Sequence, residues 1–221
     1  METINQLRAD VVAAGVELLE KGLVAGTWGN ISVRCSKSRL VAVSPSGRSY
    51  TTLTTDDIII VDEHGTVVEG RWKPSTELPL HLAVYKARPD VRAVVHTHSI
   101  FASACAVARK AIPPILEDLV QVVGGAVEVA EYATPGTERL AHNAVVALEG
   151  KNAVLLANHG VIGCGQSLRE AMLACELVEK AGQIYIYANQ LGGVTALSEA
   201  DVAALHEFYR DHYSKRQEGN E

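Results

Sequence analysis

The sequence lacks the features that would assign it to a nucleic-acid-binding, membrane-spanning or secreted protein. Its formal net charge at pH 7 is −6, so no basic excess indicates nucleic acid or an anionic membrane as a partner. No apolar run is long enough to cross a bilayer, and the first residues have neither the basic start nor the apolar segment of a signal peptide. These absences predict a cytoplasmic protein that binds neither membrane nor nucleic acid.

Several sequence signatures of common enzyme classes are also missing. The cysteines have no Cys-x-x-Cys spacing and are predicted to be buried free thiols of a cytosolic protein, not disulfides or metal ligands: Cys35, Cys105, Cys164 and Cys175. No Gly-x-Ser-x-Gly motif is present, which excludes the nucleophile of an α/β-hydrolase. The 221 residues, 48% of them hydrophobic, suit a single domain over 1–221, with a tail after about residue 214 that is predicted to fray.

Apolar periodicity predicts a mixture of helices and strands. Helices are predicted over 3–22, 76–87, 99–109, 137–149, 168–190 and from 198, and strands over 31–34, 40–43, 58–61, 67–70, 91–97, 127–130 and 153–158. Residues 114–123 are left unassigned because acidic residues interrupt their apolar run. The early strands follow one another without intervening helices, so we predict one largely antiparallel sheet with helices on both faces.

Three histidines stand at the ends of two apolar runs. His96 and His98 follow the run 91–95, and His159 follows the run 153–157. Side chains alternate along a strand, so His96 and His98 point to the same face. With His159 from a nearby strand they predict an open three-nitrogen metal site, the arrangement of a catalytic zinc. The alternative is that they are ordinary histidines at strand ends.

Three short segments could hold an anion. Ser75 and Thr76 precede a predicted helix, whose free N–H groups favour phosphate, with Glu77 directly after them. The alternative is a simple helix start, with Ser75 or Thr76 as the N-cap and Glu77 as a first-turn acid. Gly29-Asn30 and Ser46-Gly47 are turns whose backbone a ligand could approach closely. The other histidines are assigned to packing or to the surface, and Trp28 and Trp72 are assigned as packing anchors.

Read in order, five motifs carry a resemblance to a known family. They are Gly-Thr-Trp-Gly-Asn at 26–30, Ser-Pro-Ser-Gly at 44–47, Pro-Ser-Thr-Glu at 74–77, His-Thr-His at 96–98 and Asn-His-Gly at 158–160. The set closely resembles the class II aldolase/adducin family, in its L-fuculose-1-phosphate aldolase-like branch, from about residue 5 to 210. The resemblance implies an α/β fold with three layers, α/β/α, around a central, mostly antiparallel sheet. It also implies a homotetramer with active sites at subunit interfaces.

The resemblance also implies a site and a reaction. His96, His98, His159 and Glu77 match the ligands of one Zn²⁺ per subunit, for which Mn²⁺, Co²⁺ or Fe²⁺ could substitute. Glu77 would leave the metal to act as the catalytic acid/base. The positions that match the substrate-phosphate site are Gly29, Asn30, Ser46, Gly47, Ser75 and Thr76. The implied reaction cleaves a short, phosphorylated sugar, a ketose 1-phosphate, to dihydroxyacetone phosphate and an aldehyde through a zinc-stabilised enediolate.

The sequence departs from the fuculose-specific pattern in one region. Where those enzymes resemble one another in a catalytic tyrosine, this chain has Leu116-Glu117-Asp118-Leu119, and we assign the place to Asp118, with Glu117 as the alternative. A C-terminal tyrosine from a neighbouring subunit is expected at Tyr213, with Tyr209 as the alternative. Asp118 leaves open a pentulose-phosphate 4-epimerase, and the same scaffold also accommodates a methylthioribulose-phosphate dehydratase or an oxo-tetronate-phosphate decarboxylase. A non-enzymatic, adducin-like binding module has no need for three histidines and Glu77 together.

Overall fold

The computed structural model describes residues 3–36 and 38–213. Its helices are α1 (Ile4–Glu20), α2 (Leu78–Ala87), α3 (Ile100–Ala108), α4 (Glu117–Val123), α5 (Glu138–Leu148), α6 (Leu168–Gln190) and α7 (Glu199–Phe208). Its strands are β1 (Asn30–Arg34), β2 (Val41–Val43), β3 (Ile59–Val61), β4 (Val67–Glu69), β5 (Ala93–Thr97), β6 (Val129–Ala130), β7 (Ala153–Leu156) and β8 (Gly160–Gly165). The predicted fraying tail after residue 214 lies outside the described residues.

The strands form one sheet in the order β4-β3-β2-β1-β5-β8-β7-β6. Every neighbouring pair is antiparallel apart from β6 and β7, so the predicted, mostly antiparallel sheet is confirmed. In the centre, Asn30 of β1 lies opposite His96 of β5, and Thr97 of β5 lies opposite Val161 of β8. This register brings the start of β1, the end of β5 and the start of β8 together at one end of the central strands.

Helices cover both faces of the sheet, and strand alternation divides the core between them. Val94 of β5 packs toward α2 and α5 with residues such as Leu80 and Leu140. Its neighbour Val95 packs on the opposite face, in a cluster with α1 residues such as Val11. Burial of both faces gives the three-layer α/β/α arrangement predicted from the sequence. Among the described residues, no helix combines the length and apolar character needed to cross a membrane.

Two sequence assignments need correction. The unassigned segment 114–123 contains α4, whose first turn carries two acids that suit the positive end of a helix. The strand predicted over 153–158 ends at Leu156, and residues 160–165 form a further strand, so His159 lies in the turn of a β7–β8 hairpin. The predicted cap at Ser167 is confirmed, because its side chain accepts a hydrogen bond from the N–H of Glu170.

None of the four cysteines, all of which are described, forms a disulfide, and Cys105, Cys164 and Cys175 are buried as predicted, whereas Cys35 is only partly buried. Burial raises the pKa of Cys164 and Cys175 to about 12, which keeps both thiols protonated and unreactive near neutral pH.

Candidate metal centre

His96 and His98 lie at the end of β5, in the middle of the sheet. Their side chains point to the same face, as the alternation of a strand predicts, and their Nε2 atoms are 2.8 Å apart. His96 is fully buried, and its Nδ1 is 3.0 Å from the carbonyl oxygen of Val161. An N–H at Nδ1 that donates to this carbonyl leaves the Nε2 lone pair directed at the cluster.

His159 reaches the same place from the β7–β8 turn. The turn depends on Asn158, whose φ of 56° is left-handed, a conformation that asparagine tolerates better than most residues. The ring centroid of His159 is 4.6 Å from that of His96 and 5.0 Å from that of His98. The next residue, Gly160, leaves room for this packing, because a Cβ there would lie 2.2 Å from the carbonyl oxygen of Thr97.

Glu77 completes the cluster from the N-terminus of α2. Its Oε2 is 3.1 Å from His96 Nε2, and its Oε1 is 3.5 Å from His159 Nε2. The reading of Glu77 as an ordinary first-turn acid is wrong, because Glu77 is itself the N-cap residue and its side chain is buried. The Ser75 hydroxyl accepts a hydrogen bond of 3.2 Å from the backbone N–H of Glu77, which fixes the start of the helix.

Burial controls the charge of the histidines. It lowers the pKa of all three imidazoles, that of His96 well below its ordinary value, and neighbouring imidazoles lower the pKa of His96 and His98 further. The Glu77 carboxylate opposes the fall at His98 and His159 without cancelling it. The imidazoles are therefore neutral near neutral pH, the protonation state that a metal requires of its histidine ligands.

These residues fit a divalent cation. His96, His98 and His159 offer nitrogens that all lie within 4.8 Å of one another. Glu77 Oε1 is buried and has no hydrogen-bond partner among the described residues, which is costly for a carboxylate oxygen unless a cation is beside it. Three imidazoles and one carboxylate are the donor set of a zinc site with an exchangeable position.

The segments assigned to phosphate binding converge beside this cluster. Ser44 connects these segments. Its backbone N–H donates to the carbonyl oxygen of Ile31 in β1, and its hydroxyl oxygen accepts from the N–H of Ile31. Its carbonyl oxygen accepts from the N–H of Ser75. Gly29 has a φ of 83°, and a Cβ there would lie 2.8 Å from the carbonyl oxygen of His96. Among the residues assigned to phosphate binding, Ser46, Gly47 and Thr76 are exposed, Gly29 is partly buried and Ser75 is buried.

Asn30 differs from the other members of that set in its side-chain contacts. Its amide nitrogen donates to Glu77 Oε2 at 2.9 Å, and its amide oxygen is 2.6 Å from Nε2 of His81. Both ends of the amide are thus engaged inside the protein. His81, which the sequence assigned only to packing or to the surface, is fully buried here, and burial lowers its pKa to about 3.

Two further catalytic residues, Asp118 and Tyr213, were predicted from the resemblance. Asp118 pairs with Lys180 of α6 and accepts a hydrogen bond of 2.9 Å from the N–H of Leu119. Within residues 3–36 and 38–213, no hydrogen bond or ion pair connects Asp118 to the histidines. The alternative Tyr209 is buried in the core beside α4 and α6. Tyr213 ends the π-helical turn Tyr209–Tyr213, and its side chain lies outside the described part of the chain.

An open cavity of about 290 Å³ leads to the histidines, lined by Ala25, Trp28, His98, Asn158 and His159. Trp28 is 66% exposed, so its assignment as a packing anchor is wrong, and its ring lies 5.7 Å from that of His98. Trp72, by contrast, packs on the core and donates to Asp57 at 2.7 Å, as an anchor does. On the outer side of the turn, Arg109 donates to the side-chain oxygen of Asn158.

A sheet of this topology, with three histidines and a buried glutamate that could hold a metal at one end of its central strands, defines an α/β protein of the class II aldolase type. The family model described as the class II aldolase and adducin N-terminal domain matches residues 9–186. The chain belongs to that family.

Individual relatives match this chain over most of their own length. The chain is 38% identical over 202 residues to a 5-deoxy-D-ribulose 1-phosphate aldolase of Bacillus thuringiensis serovar kurstaki, covering 91% of this chain and 94% of that protein. It is 38% identical over 184 residues to a 5-methylthioribulose-1-phosphate/5-deoxyribulose-1-phosphate aldolase of Rhodospirillum rubrum, covering 81% and 80%. A solved L-fuculose 1-phosphate aldolase superposes with a TM-score of 0.89 at 37% identity, covering 92% of this chain and 96% of that chain.

Proposed function

We propose that this protein is a metal-dependent aldolase that cleaves a short ketose 1-phosphate to dihydroxyacetone phosphate and an aldehyde. The observation that carries the proposal is Glu77 Oε1, a buried carboxylate oxygen that has no hydrogen-bond partner among the described residues and lies 3.5 Å from Nε2 of His159, a residue that lines the open cavity. A carboxylate in that place can bind a cation in the resting site and carry a proton once substrate displaces it. An adducin-like binding module would have no use for this arrangement.

His96, His98, His159 and Glu77 would hold the cation, with zinc as the default for this donor set. When bound, it would supply Lewis acidity to the carbonyl oxygen of the substrate. The turns at Gly29-Asn30, Ser46-Gly47 and Ser75-Thr76 would hold the phosphate through backbone N–H groups and hydroxyls, because they meet at one place beside the cluster. The side-chain amide of Asn30 is already engaged, so its part in phosphate binding falls to its backbone.

In this reaction the C4 hydroxyl loses its proton and the C3–C4 bond breaks. The aldehyde departs and the bonding electrons remain on C3. Glu77 then delivers a proton to C3, which completes dihydroxyacetone phosphate. No Schiff-base lysine is required. The aldehyde half would lie in the open cavity, where Trp28 and Ala25 offer an apolar wall that suits a deoxy or methylthio end.

We assign the C4 proton to Asp118 or Tyr213 of a neighbouring copy in a homotetramer. What supports this is that Asp118 makes its contacts with α6 and not with the histidines of its own subunit. A complementation experiment tests the assignment by mixing Glu77→Gln and Asp118→Asn subunits, each inactive alone. Hybrid tetramers should recover activity, because some sites then have both intact residues. Equal inactivity of hybrids and parents would refute a shared site.

The function is tested by release of dihydroxyacetone phosphate from a panel of ketose 1-phosphates that includes fuculose, 5-deoxyribulose and methylthioribulose, with and without chelator. Release that the chelator abolishes supports a metal aldolase, and the best substrate identifies the aldehyde. No release from any member refutes the aldolase assignment, and the epimerase that Asp118 favours is then assayed first.

Glu77→Gln tests the acid/base role. We expect kcat to fall by roughly 10²- to 10⁴-fold, the usual contribution of a positioned acid/base, with phosphate affinity unchanged. The matched control is Glu63→Gln, which removes an exposed carboxylate in the turn after β3 and should keep full activity. Unimpaired turnover in Glu77→Gln would disprove the role.

A further inference from the structure

A buried line of polar side chains runs from Glu77 into the core between α2 and β1. Glu77, His81 and Tyr85 recur at helical spacing, so they lie on one face of α2 and its N-cap. Asn30 and Ser32 are two residues apart on β1, so they point to the same side of the sheet. All of these side chains are buried, and a buried polar network is stable only if its members satisfy one another.

The direction of each hydrogen bond follows from the carboxylate. Glu77 Oε2 can only accept, so the Asn30 group 2.9 Å away must be the amide nitrogen, and the amide oxygen faces His81. Nε2 of His81, 2.6 Å from that oxygen, must then be the protonated nitrogen. Its bare Nδ1 accepts from the Ser32 hydroxyl at 2.6 Å. Because the single Ser32 hydroxyl proton is used there, the Tyr85 hydroxyl is the donor to Ser32, with the Oγ at 2.7 Å and the backbone oxygen at 2.9 Å, and it ends the line.

This order of donors makes the two oxygens of Glu77 inequivalent. Oε2 accepts from Asn30 and lies 3.1 Å from His96 Nε2, whereas Oε1 lies 3.5 Å from His159 Nε2 and has no hydrogen-bond partner among the described residues. If the side-chain amide of Asn30 rotated by 180°, its oxygen would lie at hydrogen-bond distance from Oε2 of Glu77, and the two oxygens would repel each other. The N–H at Nε2 of His81 opposes that reversal from the other end of the amide, because the rotated amide would place its own N–H group against this donor.

We propose that His81 is a positioning residue that acts through Asn30 to leave Oε1 of Glu77 as the oxygen that meets the metal and the substrate. The inference rests on the proposed function for its catalytic part only. The effect on metal binding can be measured on the protein without any substrate.

Two variants of His81 separate positioning from packing. A glutamine side chain can place an N–H near the position of Nε2, whereas asparagine reaches only the position of Nδ1 and removes the donor to Asn30. We expect His81→Asn to bind zinc 10- to 100-fold more weakly in competition with a chelator, the usual effect of losing a partner behind a metal ligand, and His81→Gln to recover most of that loss. In turnover, His81→Asn should lower kcat and change KM little.

Tyr85→Phe is the matched control, because it removes one hydroxyl from the same buried line and leaves the donor to Asn30 in place. It should lower the melting temperature and keep the zinc affinity of the parent. A double-mutant cycle then tests the route: if His81 acts through Asn30, His81→Asn should cost nothing more in an Asn30→Ala background.

Three results would overturn the proposal. They are equal zinc affinities for His81→Gln and His81→Asn, fully additive losses in the cycle, or imidazole ¹⁵N shifts that place the His81 proton on Nδ1. The last measurement uses the unaltered protein and does not depend on any variant folding. Absence of aldolase turnover, with the zinc results as expected, would refute the proposed function and keep the role of His81.

Discussion

Gly160→Ala is the substitution in which packing and metal binding are most directly coupled. The Cβ of an alanine would lie 2.2 Å from the carbonyl oxygen of Thr97, against a limit of 3.0 Å below which real contacts essentially never fall. It would also lie 3.2 Å from Cε1 of His96 and 3.3 Å from Cδ2 of His98. Strands β5 and β8 therefore have to separate by roughly 1 Å at this point, because close-packed interiors have no spare volume.

Overpacking of this kind costs about 3 kcal/mol at the upper end of its usual range, since the obstacle is backbone and not a flexible side chain. For a chain of this length the loss corresponds to a fall in melting temperature of about 6 to 12 °C. The same displacement moves two ligand rings by more than the roughly 0.2 Å that a metal site tolerates. Zinc affinity should therefore fall by at least about tenfold.

The assay combines thermal unfolding with chelator competition for zinc. Gly163→Ala in the same strand is the matched control, because its Cβ would lie 2.6 Å from the carbonyl oxygen of Ala171 and from Cys175 Sγ, against α6 and away from the histidines. It should destabilise the fold to a similar degree and retain zinc. If Gly160→Ala lost stability and bound zinc as tightly as the parent, the reasoning that couples this glycine to the ligand rings would be refuted.

Other substitutions test separate parts of the molecule. Asp57 accepts hydrogen bonds from Trp72 and Arg71, which hold its pKa well below the ordinary 3.8, so its ionised form stabilises the fold above that pH. The stability difference between the parent and Asp57→Asn should be constant above about pH 5 and shrink as the pH falls below about 4 in denaturant titrations. Trp28→Ala should raise KM and leave the melting temperature nearly unchanged, because the side chain is exposed at the cavity; an unchanged KM would contradict its place in the substrate pocket. Zinc at 100 times its Kd should raise the free energy of unfolding by about 2.7 kcal/mol, and His96→Ala should abolish that increase. If the increase persisted in His96→Ala, His96 would not be a zinc ligand.

Amphipathic helices and alternating strands were predictable because their signals are local. α6 was recognisable from its helical periodicity and from Ser167 as its cap, and both appear in the structure. β8 was not recognised, since glycine is depleted in strands and Gly163 and Gly165 interrupt its apolar pattern. Those glycines exist for a tertiary reason: a Cβ at Gly163 would collide with Ala171, so α6 can pack on the strand only if the side chain is missing. Such a constraint is invisible until the helix is in place.

The three histidines were recognisable as a group because each lies at the end of an element, where ligand-binding side chains collect, whereas Glu77 was placed with them only by the resemblance to the family. His81 was missed because a histidine on the apolar face of a helix indicates packing when it is read alone. The signal that could have identified it is a pair of spacings, Asn30-x-Ser32 on a strand and Glu77-x₃-His81-x₃-Tyr85 on a helix. Neither pattern has meaning until the helix and the strand are known to lie face to face.

The position of the site follows from strand register. Asn30 lies opposite His96, and Thr97 lies opposite Val161. This pairing of β1, β5 and β8 brings Asn30, the paired histidines and the His159 turn to the same end of the central strands. Glu77 reaches the same end of the strands because the backbone N–H of Ser75 donates to the carbonyl oxygen of Ser44, directly after β2. A shift of one residue between β1 and β5 would turn Asn30 to the opposite face and remove the donor from Glu77. The apolar alternation of Val94 and Val95, which commits each to a different core, is what prevents that shift, so the core that holds the fold together also sets the register of the candidate metal centre.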